Sequence, residues 1–168
     1  DGGGVHNIGG SFNMRGGTIH NNESYGKAFD NQCGGGINNY EGTVNIYDGT
    51  IRDNYGAKKG GGIYNTGTVN IYGGKITNNR AQENGGGIFS GSRATLNIEN
   101  GTIEENASQE NGGGIYSTLG STLTMTGGTV TKNQSTKDGG GIYLDYVKMK
   151  LGGNVTISGN LQGAEADN

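Results

Sequence analysis

The stretch GGGIYNTGTVNIYGGKITNN, residues 60–79, decides the fold. Six of its twenty residues are glycine and none is proline. Its apolar residues stand singly between polar ones, with Val69 and Ile71 two places apart. A period of two is the mark of a strand with one buried face. No apolar stripe recurs at helical spacing, and each glycine would cost a helix about 1 kcal/mol relative to alanine.

The stretch is one copy of a repeat that fills the chain. A Gly-Gly-Gly triplet followed by Ile or Val begins at residues 2, 34, 60, 85, 112 and 139. After each triplet an aliphatic residue stands three places before an asparagine. The pairs are Ile19/Asn22, Ile51/Asn54, Ile76/Asn79, Ile103/Asn106, Val130/Asn133 and Ile157/Asn160. Between the two signatures the apolar residues alternate, as Phe12/Met14, Val44/Ile46, Val69/Ile71, Leu96/Ile98 and Leu123/Met125, with a less regular VKMKLGG in the last copy. Each repeat therefore offers three short strands: one after the triplet, one with the alternating pair and one ending at the asparagine. Too short to bury a face alone, they must coil into a rung and stack on their copies.

The expected fold is all-β, a right-handed parallel β-helix of about six rungs with 25–32 residues each. The rungs run approximately over 2–33, 34–59, 60–84, 85–111, 112–138 and 139–168. At about 4.8 Å per rung they form one short rod. Residues 1–168 read as a single segment of a longer array, because both ends fall at repeat boundaries without a polar cap. Such a piece is expected to associate end to end when isolated.

Composition narrows the function. Twelve Lys and Arg against fifteen Asp and Glu leave a formal net charge of −3, with no basic patch for nucleic acid. Apolar runs are too short for a membrane-spanning helix, so this segment is not expected to insert. Cys33 is the only cysteine, which excludes an intrachain disulfide. Its counterparts at the place before the triplet are Asp1, Lys59, Asn84, Asn111 and Asp138, as in a tolerant loop position.

Inward Ile, Val, Leu and Met are expected to pile into columns, with glycine at turns and close contacts. Asparagine tolerates the left-handed backbone conformation, and its stacked amides can bond from rung to rung. Asn22, Asn54, Asn79, Asn106, Asn133 and Asn160 thus read as a structural ladder. This alternation of GGGI with I..N resembles the repeat of polymorphic outer-membrane proteins. There a GGA-type triplet with an aliphatic residue alternates with an F..N motif. Here glycine takes the third triplet place, and Ile or Val stands where Phe is usual. The repeat is similar more broadly to right-handed β-helix repeats of adhesin-like surface proteins. The resemblance implies an extracellular or bacterial cell-surface module used in adhesion.

Candidate binding residues are the outward aromatics. Asn38, Tyr64, Phe89, Tyr116 and Tyr143 follow the aliphatic residue of successive triplets. Tyr47 and Tyr72 alternate with inward Ile46 and Ile71. Such rows can meet sugar rings or anchor a protein partner; equally, they can stack on one another and only cover rung edges. The segment ESYGKAFDNQC, residues 23–33, is the longest excursion between rungs and adds Tyr25 and Phe29. The partner expected is a host surface protein, an immunoglobulin or a glycan.

No catalytic residue, cofactor or metal is implied. Acids do not recur on neighbouring rungs beside Arg or Lys, and His6 and His20 lack metal-spaced companions. The alternative is a carbohydrate-active β-helix whose groove is incomplete here. A remote one is an ice-binding solenoid with a partial column of Thr18, Thr50, Thr102 and Thr129, interrupted at Lys75 and Asn154.

Overall fold

The structure, a computed structural model, describes residues 2–25 and 34–163. These form an all-β parallel solenoid without a helix among the described residues, as the β-helix reading requires. Three parallel sheets run along it. The first stacks Val5–Ile8, Ile37–Tyr40, Ile63–Asn65, Ile88–Ser90, Ile115–Ser117 and Ile142–Leu144 in that order. The second starts with Ser11–His20 and Thr43–Arg52 and ends with Thr122–Thr131 and Lys148–Ser158. In the two middle copies it divides into Thr68–Ile71 with Lys75–Thr77, and Thr95–Ile98 with Thr102–Glu104. The third is built from two-residue strands: Glu23–Ser24, Tyr55–Gly56, Arg80–Ala81, Ala107–Ser108, Gln134–Ser135 and Leu161–Gln162.

This division differs from the expected one. The alternating strand and the strand before the asparagine belong to one sheet, and four of the six copies run them together without a break. The third sheet lies after the asparagine. Its strands are too short to show a period, which is why the sequence does not announce them.

Register follows the repeat residue by residue. Val5, Ile37, Ile63, Ile88, Ile115 and Ile142 pair in one column. Ile19, Ile51, Ile76, Ile103, Val130 and Ile157 pair in another. Between them run the columns that begin at Phe12 and Met14. Together these side chains are the core. Each interior aliphatic so buried contributes about 1.5–3 kcal/mol. At the outer end of their columns Leu151 and Ile157 are 58 % and 45 % exposed, since no described rung lies over them. The last copy also holds one extra residue: Met125 pairs Leu151 and Gly127 pairs Asn154, leaving Gly152 and Gly153 opposite Thr126 alone. That bulge corrects the threonine column. Thr129 pairs Thr156, not Asn154, so Lys75 is its one interruption.

The triplet glycines have separate reasons, seen at residues 60–62. Gly60 turns the chain at φ +66°, a conformation that glycine adopts without steric cost. A Cβ on Gly61 would sit 2.3 Å from the carbonyl oxygen of Arg80 and 2.4 Å from that of Gly86. Here the first sheet approaches the third so closely that only backbone fits. Correspondingly, the third sheet pairs Ser24, Gly56, Ala81, Ser108 and Ser135 in one column, all small and buried.

The asparagine ladder is present. Nδ2 of Asn22 donates to Oδ1 of Asn54, and so on through Asn79, Asn106, Asn133 and Asn160, at 2.9–3.0 Å. Each Oδ1 also accepts the backbone N–H of the asparagine one rung before it. The left-handed conformation, however, belongs to the residues just before the ladder. Asn21, Asp53, Asn78, Glu105 and Lys132 have φ between 52° and 55°, and Gly159 has 63°. The ladder side chain fixes this turn by bonding, so the turning residue is free to vary.

Candidate binding surfaces

Two outward faces carry the aromatic residues. On the first sheet Tyr64, Phe89, Tyr116 and Tyr143 stack in one continuous pile. Ring centroids lie 5.1–5.2 Å apart with interplanar angles of 6–15°. The pile exists because paired registers place each ring directly over its counterpart one rung away. None of the four belongs to the core cluster. Even so, Tyr64 and Phe89 are only 6 % and 5 % exposed. The reason is geometric: each ring face is occupied by its neighbour, and turn residues flank the edges. The inner rings of the pile, Phe89 and Tyr116, offer edges to a partner, not the open faces that a flat-stacking sugar needs.

Those edges line a trough of about 380 Å³. Tyr64, Phe89 and Tyr116 line it together with Thr66, Ser92, Thr118, Lys59 and Asn84. The Lys59 ammonium lies 5.1 Å from the Phe89 ring centroid. Aromatic edges are electropositive and Lys59 is cationic, so the trough favours ligand groups rich in acceptor oxygens. Asp145, which does not line the trough, accepts hydrogen bonds from the Tyr116 hydroxyl and from Thr118. Burial, with Asp145 second, raises the Tyr116 pKa above its ordinary 10.0. Position 38 continues the column with a buried Asn38, and His6 lies one rung further at an exposed place.

The second face belongs to the second sheet. Tyr47 and Tyr72 stack at 5.0 Å and 13°, and both are more than one third exposed. The Arg15 guanidinium covers the other side of Tyr47, 4.3 Å from its centroid. Beside this stack runs a second, outward amide ladder. Asn45 donates to Asn13, Asn70 to Asn45 and Asn97 to Asn70 at 2.8–2.9 Å. Sequence reasoning missed both Arg15 and this ladder. The signal was there, an asparagine between the two apolar residues of the alternating pair in four consecutive copies. A further short ladder joins Asn7, Asn39 and Asn65.

Tyr25 stands apart from both faces. It is 77 % exposed and donates its hydroxyl to Glu23. Phe29 and Cys33 lie outside the described residues. Acidic side chains elsewhere are tied locally: Asp53 to Arg52 and Asn78, Glu104 to Lys75, Glu105 to Lys132 and Glu110 to Lys137. Among the described residues no three His, Cys, Asp or Glu side chains are placed to hold a metal ion.

No curated protein and no solved structure matches the chain. A family model does match, over residues 75–91, 100–118 and 127–145. Each matched stretch runs from an aliphatic strand through a ladder asparagine and a glycine triplet to one ring of the aromatic pile: Phe89, Tyr116 or Tyr143. This gives coarse support for a bacterial cell-surface location. The repeats of this parallel β-solenoid are similar to the Chlamydia polymorphic membrane protein repeat.

Proposed function

We propose that the chain is a non-catalytic adhesion module of a bacterial surface protein, and that it holds a host protein or glycan along its outward faces. The trough beside Tyr64, Phe89 and Tyr116 carries this reading. A solenoid needs its inward columns to fold, but nothing in folding requires a concave strip outside the core that joins aromatic edges, hydroxyls and a lysine. Rigid aromatic side chains lose little entropy on binding and are frequent anchors at interfaces. Because the rungs are uniform, the strip is presented on a stiff support. Turns bordering it, at Thr66, Ser92 and Thr118, differ from copy to copy and supply specificity.

The test is attachment of protein-coated beads to host cells, together with a glycan array. Tyr116→Ala combined with Lys59→Ala is expected to lower attachment about tenfold, as loss of interface anchors does. Circular dichroism of the variant should keep the β signature of the parent. Unchanged attachment by a folded variant would remove the trough from the reading.

A further inference from the structure

The outward columns of the second sheet stop one rung apart. Its ring column runs Arg15, Tyr47, Tyr72 and is then replaced by Glu99 and Thr126. Its amide ladder runs Asn13, Asn45, Asn70, Asn97 and is then replaced by Thr124. The double ending leaves a hollow of about 230 Å³ lined by Asn70, Tyr72, Asn97, Glu99, Thr124 and Thr126. Tyr72 uses one ring face on Tyr47 and turns the other toward this hollow. Glu99 is exposed and forms no side-chain hydrogen bond or ion pair with the described residues, unlike the acids tied along neighbouring columns.

We infer that this hollow is a docking site for an arginine side chain of a partner protein, with the guanidinium flat on Tyr72 and paired with Glu99. The opposite end of the same stack supplies the precedent. There the chain's own Arg15 lies over Tyr47 at 4.3 Å, so the column already takes a guanidinium on a terminal ring face. At the other end Glu99 brings a carboxylate to the hollow beside Tyr72. Guanidinium is planar, weakly hydrated and suited to stacking and carboxylate pairing at once, whereas an ammonium ion is a strongly hydrated point charge. Thr124 and Thr126 add acceptor oxygens at the border for its remaining N–H groups.

The inference rests on the reading of the outward faces as binding faces, but it uses none of the trough residues. A two-dimensional amide NMR titration tests it, with N-acetyl-arginine amide as probe and the lysine analogue and methyl β-galactopyranoside as comparisons. The arginine probe should shift the amides of residues 97–99 and 124–126, with initial slopes at least three times those given by lysine. Tyr72→Ala and Glu99→Gln should each lower that slope at least threefold, and added salt should lower it too. Tyr116→Ala, in the trough, should leave it unchanged. Absence of shifts at these amides would overturn the site, as would equal shifts from lysine or larger ones from the sugar. Those results would leave the trough reading standing, and loss of cell attachment on trough mutation would not rescue the arginine site.

Discussion

Inside the solenoid a column keeps its character in every copy, apolar in the core and amide in the ladder; outside it, columns change after two to four rungs. The aliphatic column from Ile19 to Ile157 keeps its β-branched character through six copies, and the ladder from Asn22 to Asn160 keeps the same amide. On the outside, Tyr47 and Tyr72 give way to Glu99 and Thr126, and Asn97 gives way to Thr124. The difference separates two demands on one repeat. Inward places must satisfy neighbours above and below, so the core columns take only apolar residues and the ladder takes only asparagine. Outward places meet solvent on one side and can carry whatever a partner requires.

The sharpest way to break this contrast is a methyl group where two backbones touch. Gly61→Ala is expected to abolish folding or lower stability by at least about 3 kcal/mol, since the added Cβ meets two carbonyl oxygens of the fixed backbone. Gly152→Ala lies in the bulge of the last copy, where nothing stands within 4 Å of the new atom. Its effect should stay within about 0.5 kcal/mol. Urea unfolding followed by far-ultraviolet circular dichroism measures both.

Next in size is the contrast between ladders. Asn106 is fully buried, donates to Ile76, Glu104 and Asn133, and accepts twice from Asn79. Asn106→Ala leaves several buried groups without partners, and about 3 kcal/mol of lost stability is expected. Asn45, in the outward ladder, makes one bond in each direction at the surface. Asn45→Ala should cost less than about 1 kcal/mol. Equal costs in urea unfolding would mean that the outward amides are structural as well.

The same division explains what could be read from the sequence. The core was legible because Val44, Ile46 and their copies alternate against polar neighbours at a fixed period. The ladder was legible because Asn22 and its five copies keep one place. The third sheet was not, since Tyr55–Gly56 and its equivalents have neither period nor constant residue type. The left-handed turn was assigned one residue late for a related reason. Asp53, Asn78, Glu105 and Lys132 share a backbone conformation but no chemistry, so nothing in residue identity marks them. For the binding faces, the ring positions were legible and their state was not. Stacking distance and burial decide whether a ring shows a face or an edge, and both depend on the register of neighbouring rungs. The hollow beside Tyr72 was invisible because it comes from the ending of two columns.

Alkaline titration gives a smaller effect and compares a half-buried outward ring with open ones. Burial, then the Asp145 carboxylate, raises the Tyr116 pKa above 10.0. A folded-state pKa above the unfolded one means stability that is complete below pH 10 and declines as pH rises through the folded value. Tyr116→Phe should flatten that decline above pH 10 in thermal melts. A Tyr116→Phe profile that declines as steeply as the parent would show that the ring's hydroxyl is as free as one in solvent.

The smallest expected effect tests the turning column, where a uniform backbone carries varied chemistry. Asp53 receives a hydrogen bond from Asn78, the largest influence on it, and pairs with Arg52; together these hold its carboxyl below the usual 3.8. A depressed folded-state pKa contributes stability that is present above about pH 4 and is lost as pH falls through the folded value. Because the pair is close to solvent, salt should weaken the contribution. Asp53→Asn keeps a side chain that tolerates φ near 54° and can still accept from Asn78. It removes only the charge. The variant should therefore match the parent at neutral pH to within about 0.5 kcal/mol and lose less stability on acidification below pH 4. A large loss at neutral pH would instead mean that the charge itself holds the turn, and that the outer residue is as constrained as the ladder beneath it.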